Sequence, residues 1–144
     1  MKTDAVYRIN SKEVITIKRY KNLYYNVYKN NNLIGFFPIV ESIDNICVIP
    51  RIKIENDVDN IMVIYCCCLD YIVKYSKLLE ADSLEVYFNE EDAYYQEAIL
   101  DCGFNMYLKY EVKPKIYKAV KKFNKRCIDG ESNNSSYQRK RENK

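Results

Sequence analysis

A chain of 144 residues, 48% hydrophobic and 30% charged, has the size and composition of one globular domain built round a single core. Its longest apolar run, Ile61 to Leu69, is far short of the roughly 20 residues that span a bilayer, and Met1–Asp4 lead into polar sequence, so the expected compartment is the cytoplasm. Histidine is absent, which excludes His-based triads and His metal ligands and leaves carboxylate, Tyr, Cys, Lys or backbone for any catalysis. Of the six cysteines, Cys66, Cys67 and Cys68 are consecutive in a helical pattern and project about 100° apart, so they cannot converge on one metal. With no CxxC spacing elsewhere, they read as reduced, buried small hydrophobes. The net charge of +3 is unevenly spread: residues 1–112 hold 12 Lys/Arg against 17 Asp/Glu, and residues 113–144 hold 11 against 3.

In chain order, Glu13–Tyr20 alternates as a strand. Leu23–Tyr28 and Leu33–Val40 are β-rich runs joined by Lys29-Asn30-Asn31-Asn32, and asparagine's tolerance of left-handed backbone makes this a hairpin. Ile46–Ile54 is a further strand interrupted by Pro50, which has no N–H to donate to a ladder. Val58, Ile61, Met62, Tyr65, Leu69, Ile72, Val73 and Leu79 then recur at steps of three and four, predicting a helix from about Asp57 to Ala81. Asn56, Asp57 and Asp59 are its expected cap and first-turn acids. Ser83–Phe88 reads as a strand, Glu90–Cys102 as a second helix with Gly103 at its C′ position, and Met106–Val112 as a last strand. Ile116, Val120, Phe123 and Cys127 lie on one face of a predicted basic amphipathic helix over 113–127, and 128–144 reads as a disordered polar tail.

Gly35 after Leu33-Ile34, Val48-Ile49-Pro50, and Leu84–Asn89 followed by Gly103-Phe104 resemble, in that order, the hairpin glycine, the V-x-P strand end and the N…GF signature of the GNAT N-acetyltransferases. The correspondence spans about residues 23–112. It implies an α/β (α+β) fold: a GNAT-like mixed sheet with an antiparallel N-terminal meander and a β-α-β-α-β C-terminal half, forming one domain over 1–112. It implies acetyl-CoA as cofactor, with Val48, Ile49, Lys53, Asn56 and Val58 at the cofactor-binding positions. The family chemistry, attack of an amine on the thioester, implies Asp44 or Glu41 as the carboxylate base and Tyr95 as the nearest tyrosine to the acid position, which is itself Ile99.

The same resemblance marks departures. The family's cofactor loop is glycine-rich, so that bare backbone N–H groups approach the CoA pyrophosphate, and here Lys53, Asn56 and Val58 take those places beside Asp57 and Asp59. Between Tyr20 and Leu23 there is room only for a turn, where the family places helices that help form the acceptor cleft. The expected function is therefore a GNAT-like domain with weak or lost acetyl-CoA-dependent N-acetyltransferase activity that acts as an interaction module, with a protein partner or homodimer completing it. The alternatives are an active N-acetyltransferase, and a nucleic-acid-associated protein using its basic tail. Residues 113–126 predict weak, salt-dependent polyanion binding.

Overall fold

The computed structural model describes residues 5–110 and 116–123, with the side chains of 107–110 excepted. The strands are β1 (Ala5–Arg8), β2 (Val14–Lys21), β3 (Tyr24–Lys29), β4 (Asn32–Pro38), β5 (Val40–Glu41), β6 (Ile46–Ile49), β7 (Lys53–Ile54), β8 (Ser83–Asn89), β9 (Asn105–Tyr110) and β10 (Ile116–Lys122). The helices are α1 (Ile61–Leu78) and α2 (Ala93–Asp101). One sheet has the order β1-β2-β3-β4-β7 and the other β5-β6-β8-β10-β9, every pairing antiparallel except β6 with β8. The N-terminal meander and the parallel pair round a crossover helix are those the sequence predicts.

Asparagine does the work that glycine usually does in the turns. Asn22, Asn30, Asn31, Asn45 and Asn60 all have positive φ, and the adjacent pair Asn30 (49°) and Asn31 (78°) turns the β3–β4 hairpin. Asn30 also fastens β2 to that turn, accepting from Val14 N at 2.9 Å and donating to Lys12 O at 3.1 Å. Gly35 serves close approach instead: a Cβ there would run into the Lys53 carbonyl oxygen and the Ile54 side chain of β7.

The two sheets are joined by one bent ribbon. β4 pairs with β7 (Gly35↔Ile54, Phe36↔Lys53), and β5 pairs with β6 (Val40↔Val48, Glu41↔Cys47). Both chains thus change sheet, at Pro38-Ile39 and at Pro50-Arg51-Ile52. Proline's missing N–H makes these the positions where pairing lapses most cheaply. The predicted strand Ile46–Ile54 is in consequence two strands in two sheets.

Both helices lie on one side. Ile15, Ile17, Tyr25, Val27 and Phe37 of the first sheet and Cys47, Ile49, Leu84, Val86 and Ala119 of the second are all buried in the core with Ile64, Cys68, Leu69 and Ile72 of α1 and Ala98 and Ile99 of α2. Tyr7 Oη donates to Asp70 Oδ2 on α1 at 2.8 Å, and Tyr25 packs on Tyr71 and Tyr75 of the same helix. Cys47, Cys66, Cys67, Cys68 and Cys102 carry free thiols, as read.

Two predictions are corrected. Residues 116–122 form a strand, not a helix: β10 inserts between β8 and β9 and pairs with both, and those ladders outweigh the i, i+4 recurrence of Ile116, Val120 and Phe123. Helix α1 starts at Ile61 rather than Asp57, because Asn60 is left-handed (φ 62°) and the acids before it belong to the preceding turn. The predicted tail 128–144, with residues 113–115 and 124–127 of the predicted helix, lies outside the described residues. Among the described residues no helix is long and apolar enough to cross a membrane.

Candidate functional site

Strands β6 and β8 run parallel from Ile46↔Ser83 to Ile49↔Val86, and there the pairing stops. Beyond that point Pro50 leads the chain away to β7 and its pairing with β4, while β8 continues to Asn89 in its pairing with β10. The strands form a V that opens at their C-terminal ends, where ligands of open parallel sheets gather.

The cofactor-position residues distribute unevenly round this V. Val48 is half-buried and opposite Glu85, and Ile49 is fully buried in the core beside the opening. Lys53 lies opposite Phe36 on the face of the first sheet turned away from α1, so it does not join the start of that helix. Asn56 is exposed in the turn, and Val58 packs against the core. Contrary to the sequence reading, neither Asp57 nor Asp59 caps α1: its first turn holds no acid, and the cap residue Asn60 makes no side-chain capping bond. Asn60 Nδ2 donates instead to Glu13 Oε1 at 3.1 Å. Asp57, Val58 and Asp59 line a surface hollow with Lys29, Asn30 and Asn32. The lysine there is already engaged, in an ion pair with Glu13 at 3.0 Å and as donor to Asp59 O at 3.3 Å.

The predicted acid–base residues are not brought together. Asp44 is exposed in the Ser42–Asn45 turn before β6, its N–H donating to Ser42 Oγ at 3.2 Å. Glu41 is exposed opposite Cys47. Tyr95 packs on Phe88, near the other end of β8, about 16 Å along the strand from the Ser83 level. It stacks on Tyr65 at 5.0 Å, is 2% exposed, and its hydroxyl is buried without a hydrogen-bond partner among the described residues. Burial, with Cys68 and Tyr65 beside it, holds the phenol well above its ordinary pKa, so it keeps its proton.

A constellation the sequence reading missed lies on the opposite face of β8. Glu85 sits between Val48 of β6 and Val120 of β10, one residue before the last paired position. Tyr87 Oη donates to Glu85 Oε1 at 3.4 Å, and Lys118 Nζ lies 3.8 Å from Glu85 Oε2, both charged side chains being mostly buried. The signal was present in the alternation Ser83, Glu85, Tyr87, Asn89. The partner strand was not, because Lys118 had been assigned to a helix.

For acetyl-CoA these residues fit one end and not the other. The end of the parallel pair past Val86 is where the resemblance expects the acyl arm. The hollow before α1 carries Asp57 and Asp59, and its lysine, Lys29, is committed to Glu13 and Asp59; carboxylates there oppose a pyrophosphate. Among the described residues no group of three or more His, Cys, Asp or Glu side chains could hold a metal ion.

No family model matches the sequence, and no curated protein matches it. Solved structures do. The chain is similar to an IAA acetyltransferase from Bacillus cereus (13% identity, TM-score 0.58, covering 78% of this chain and 79% of that one). It is similar to the N-terminal domain of a ribosomal-protein-alanine acetyltransferase from Clostridium acetobutylicum (15%, 0.59, 83% and 96%). A third is the Campylobacter jejuni N-acetyltransferase PseH in complex with acetyl coenzyme A (16%, 0.54, 80% and 71%). At such identities the likeness speaks for architecture alone, and on that ground the chain has the GNAT N-acetyltransferase fold.

Proposed function

We propose that this is a GNAT-fold interaction module in which acetyl-CoA-dependent N-acetyltransferase activity is weak or lost. The observation that carries the reading is the segment between β7 and α1: carboxylates at 57 and 59 stand where a pyrophosphate would approach, and Lys29 is already bound to Glu13 and Asp59. The V between β6 and β8 is retained, so the acyl arm keeps a place while the charged half of the cofactor loses its own.

Calorimetric titration of the full chain with acetyl-CoA tests this. No saturation at millimolar cofactor is expected, with binding gained in an Asp57→Asn, Asp59→Asn double variant. Micromolar binding by the unaltered chain, with transfer to an amine, would overturn it.

A second reading, an active N-acetyltransferase, is favoured by Glu85, a strand-borne carboxylate beside the opening with Tyr87 and Lys118 on it. On that reading Glu85, rather than Asp44 or Glu41, is the base, and Glu85→Gln abolishes transfer while leaving cofactor binding unchanged.

A further inference from the structure

The first sheet has one face on α1 and a second face that no described element covers. Register fixes what stands on it. Val27, Tyr25 and Ile17 point to the core, so their alternates Tyr24, Asn26 and Tyr28 on β3 point outward, with Lys18 opposite Asn26 and Phe36 between Asn26 and Lys53. Tyr24 is 39% exposed and tilts against Phe36, the ring centroids 6.4 Å apart. Three aromatic rings on two adjacent strands therefore stand on this face, Tyr24 exposed and Tyr28 and Phe36 half-buried.

The charge on this face has one sign. Arg8, Lys18, Lys21 and Lys53 occupy outward register positions on β1, β2 and β7, and no outward position of the paired strands holds a carboxylate. Arg51 lies 5.7 Å over the Phe36 ring and Lys18 5.7 Å over Tyr28, so cations alternate with rings at close range. None of the five cations is in an ion pair among the described residues. The nearest acid is Glu55, on the rim of a groove of about 260 Å³ that Asn26, Leu33, Phe36 and Lys53 also line. Residues 1–112 carry more acid than base, so this is charge gathered on one face of an otherwise acidic body.

The geometry points to this face as a binding surface for a single-stranded nucleic acid, its bases stacking on Tyr24, Tyr28 and Phe36 and its phosphates meeting Lys18, Lys53 and Arg51. Stacking is what selects this occupant over an acidic peptide. Tyr24 and Phe36, on adjacent strands with centroids 6.4 Å apart, offer apolar ring contacts to a base, whereas a polyglutamate needs the cations and not the rings. The inference goes beyond the proposed function and stands whether or not acetyl-CoA binds.

The test is fluorescence anisotropy of labelled oligo-dT and oligo-rU 12-mers with the full chain, at low and physiological salt. The basic C-terminal segment will also attract polyanions, so the deciding variants leave charge untouched. Tyr24→Leu and Tyr28→Leu, both on the open face, are expected to weaken binding about 5-fold or more each. Lys18→Gln with Lys53→Gln is expected to weaken it further and to flatten the salt dependence. Circular dichroism melts confirm that each variant folds. Unchanged binding in the Leu variants would assign the affinity to the C-terminal segment and overturn the proposal, as would equal competition by a polyglutamate of the same charge or no binding at low salt.

Discussion

The two sheets turn the same side to the helices and differ on the other. On the second sheet the outward carboxylate is answered within the face, Glu85 lying between Tyr87 and Lys118, with Val48 and Val120 on its flanks. On the first sheet the outward cations have no carboxylate among them on the paired strands, and the rings they sit over are half-buried. A sheet face that neutralises itself can end at water. One that leaves like charges over apolar rings forgoes several charge pairs, each worth up to about 1 kcal/mol at a surface, and such an arrangement is what an anionic partner would complete.

Beneath the faces the contrast is in packing. The first sheet meets α1 through a run of rings: Tyr25 stacks on Phe37 at 5.6 Å and meets Tyr71 and Tyr75 at 5.6 and 5.8 Å. The second meets the helices through aliphatics such as Ile49, Leu84 and Val86 along most of β6 and β8, with a single ring, Phe88, against Tyr95 near the end of β8. Tyr25→Ala should thus be the most damaging change in the first sheet, costing about 3–5 kcal/mol by urea denaturation. Equal sensitivity to Tyr25→Phe would show that a hydroxyl contact, and not the ring cluster, holds that layer.

Next in size is the joint between the sheets. Gly35→Ala sets a methyl against the Lys53 carbonyl and the Ile54 side chain, so β7 must leave β4 or shift, at a cost of about 1–3 kcal/mol. Hydrogen exchange locates the damage. Glu55 N, bonded to Ile34 O at 2.9 Å, should lose protection before the β6–β8 amides do. Uniform loss across both sheets would show the ribbon to be one rigid unit rather than a hinge.

What the sequence disclosed follows the same division. The hairpin at Asn30-Asn31, the break at Pro50 and the helix stop at Gly103 (φ 82°) were legible because a single residue type enforces each backbone geometry. Strand β10 was not, because its local pattern favours a helix and its inward face carries a lysine. Lys121 reaches past the core edge, Nζ donating to Cys102 O at 3.1 Å at the end of α2 and lying 5.9 Å over Phe104. No local pattern could announce that partner. The short edge strand β1 went unread for want of length. The candidate site was half legible: the V-x-P strand end and β8 were placed, but Glu85 gains meaning only once β6 and β10 stand on either side of it.

Tyr95 separates packing from chemistry in the second half. Its hydroxyl is buried with no partner among the described residues, an arrangement that costs about 1–3 kcal/mol, so Tyr95→Phe should leave stability unchanged or raise it. A loss of stability on removing the oxygen would reveal a hydrogen bond. A loss of acetyl transfer at unchanged stability would favour the enzymatic reading.

The smallest expected effect lies where the first sheet meets the start of α1. Glu13 gathers three partners there: Asn10 Nδ2 at 2.8 Å, Lys29 Nζ at 3.0 Å and Asn60 Nδ2 at 3.1 Å. Chiefly the Asn10 hydrogen bond, and then Lys29, hold its carboxyl below the ordinary 4.5. A group whose pKa is depressed by folding contributes stability that is complete above its unfolded value and is lost as pH falls through the folded one. Acidification from neutral pH to below 4.5 should therefore lower the Tm of the parent more than that of Glu13→Gln, which keeps an acceptor for Asn10 and Asn60 but has no charge to lose. The part of the difference that comes from the ion pair should shrink in high salt. Parallel acid profiles for the two proteins would mean that Glu13 holds the helix start by hydrogen bonding alone, and that the ion pair with Lys29 contributes nothing to joining α1 to the sheet.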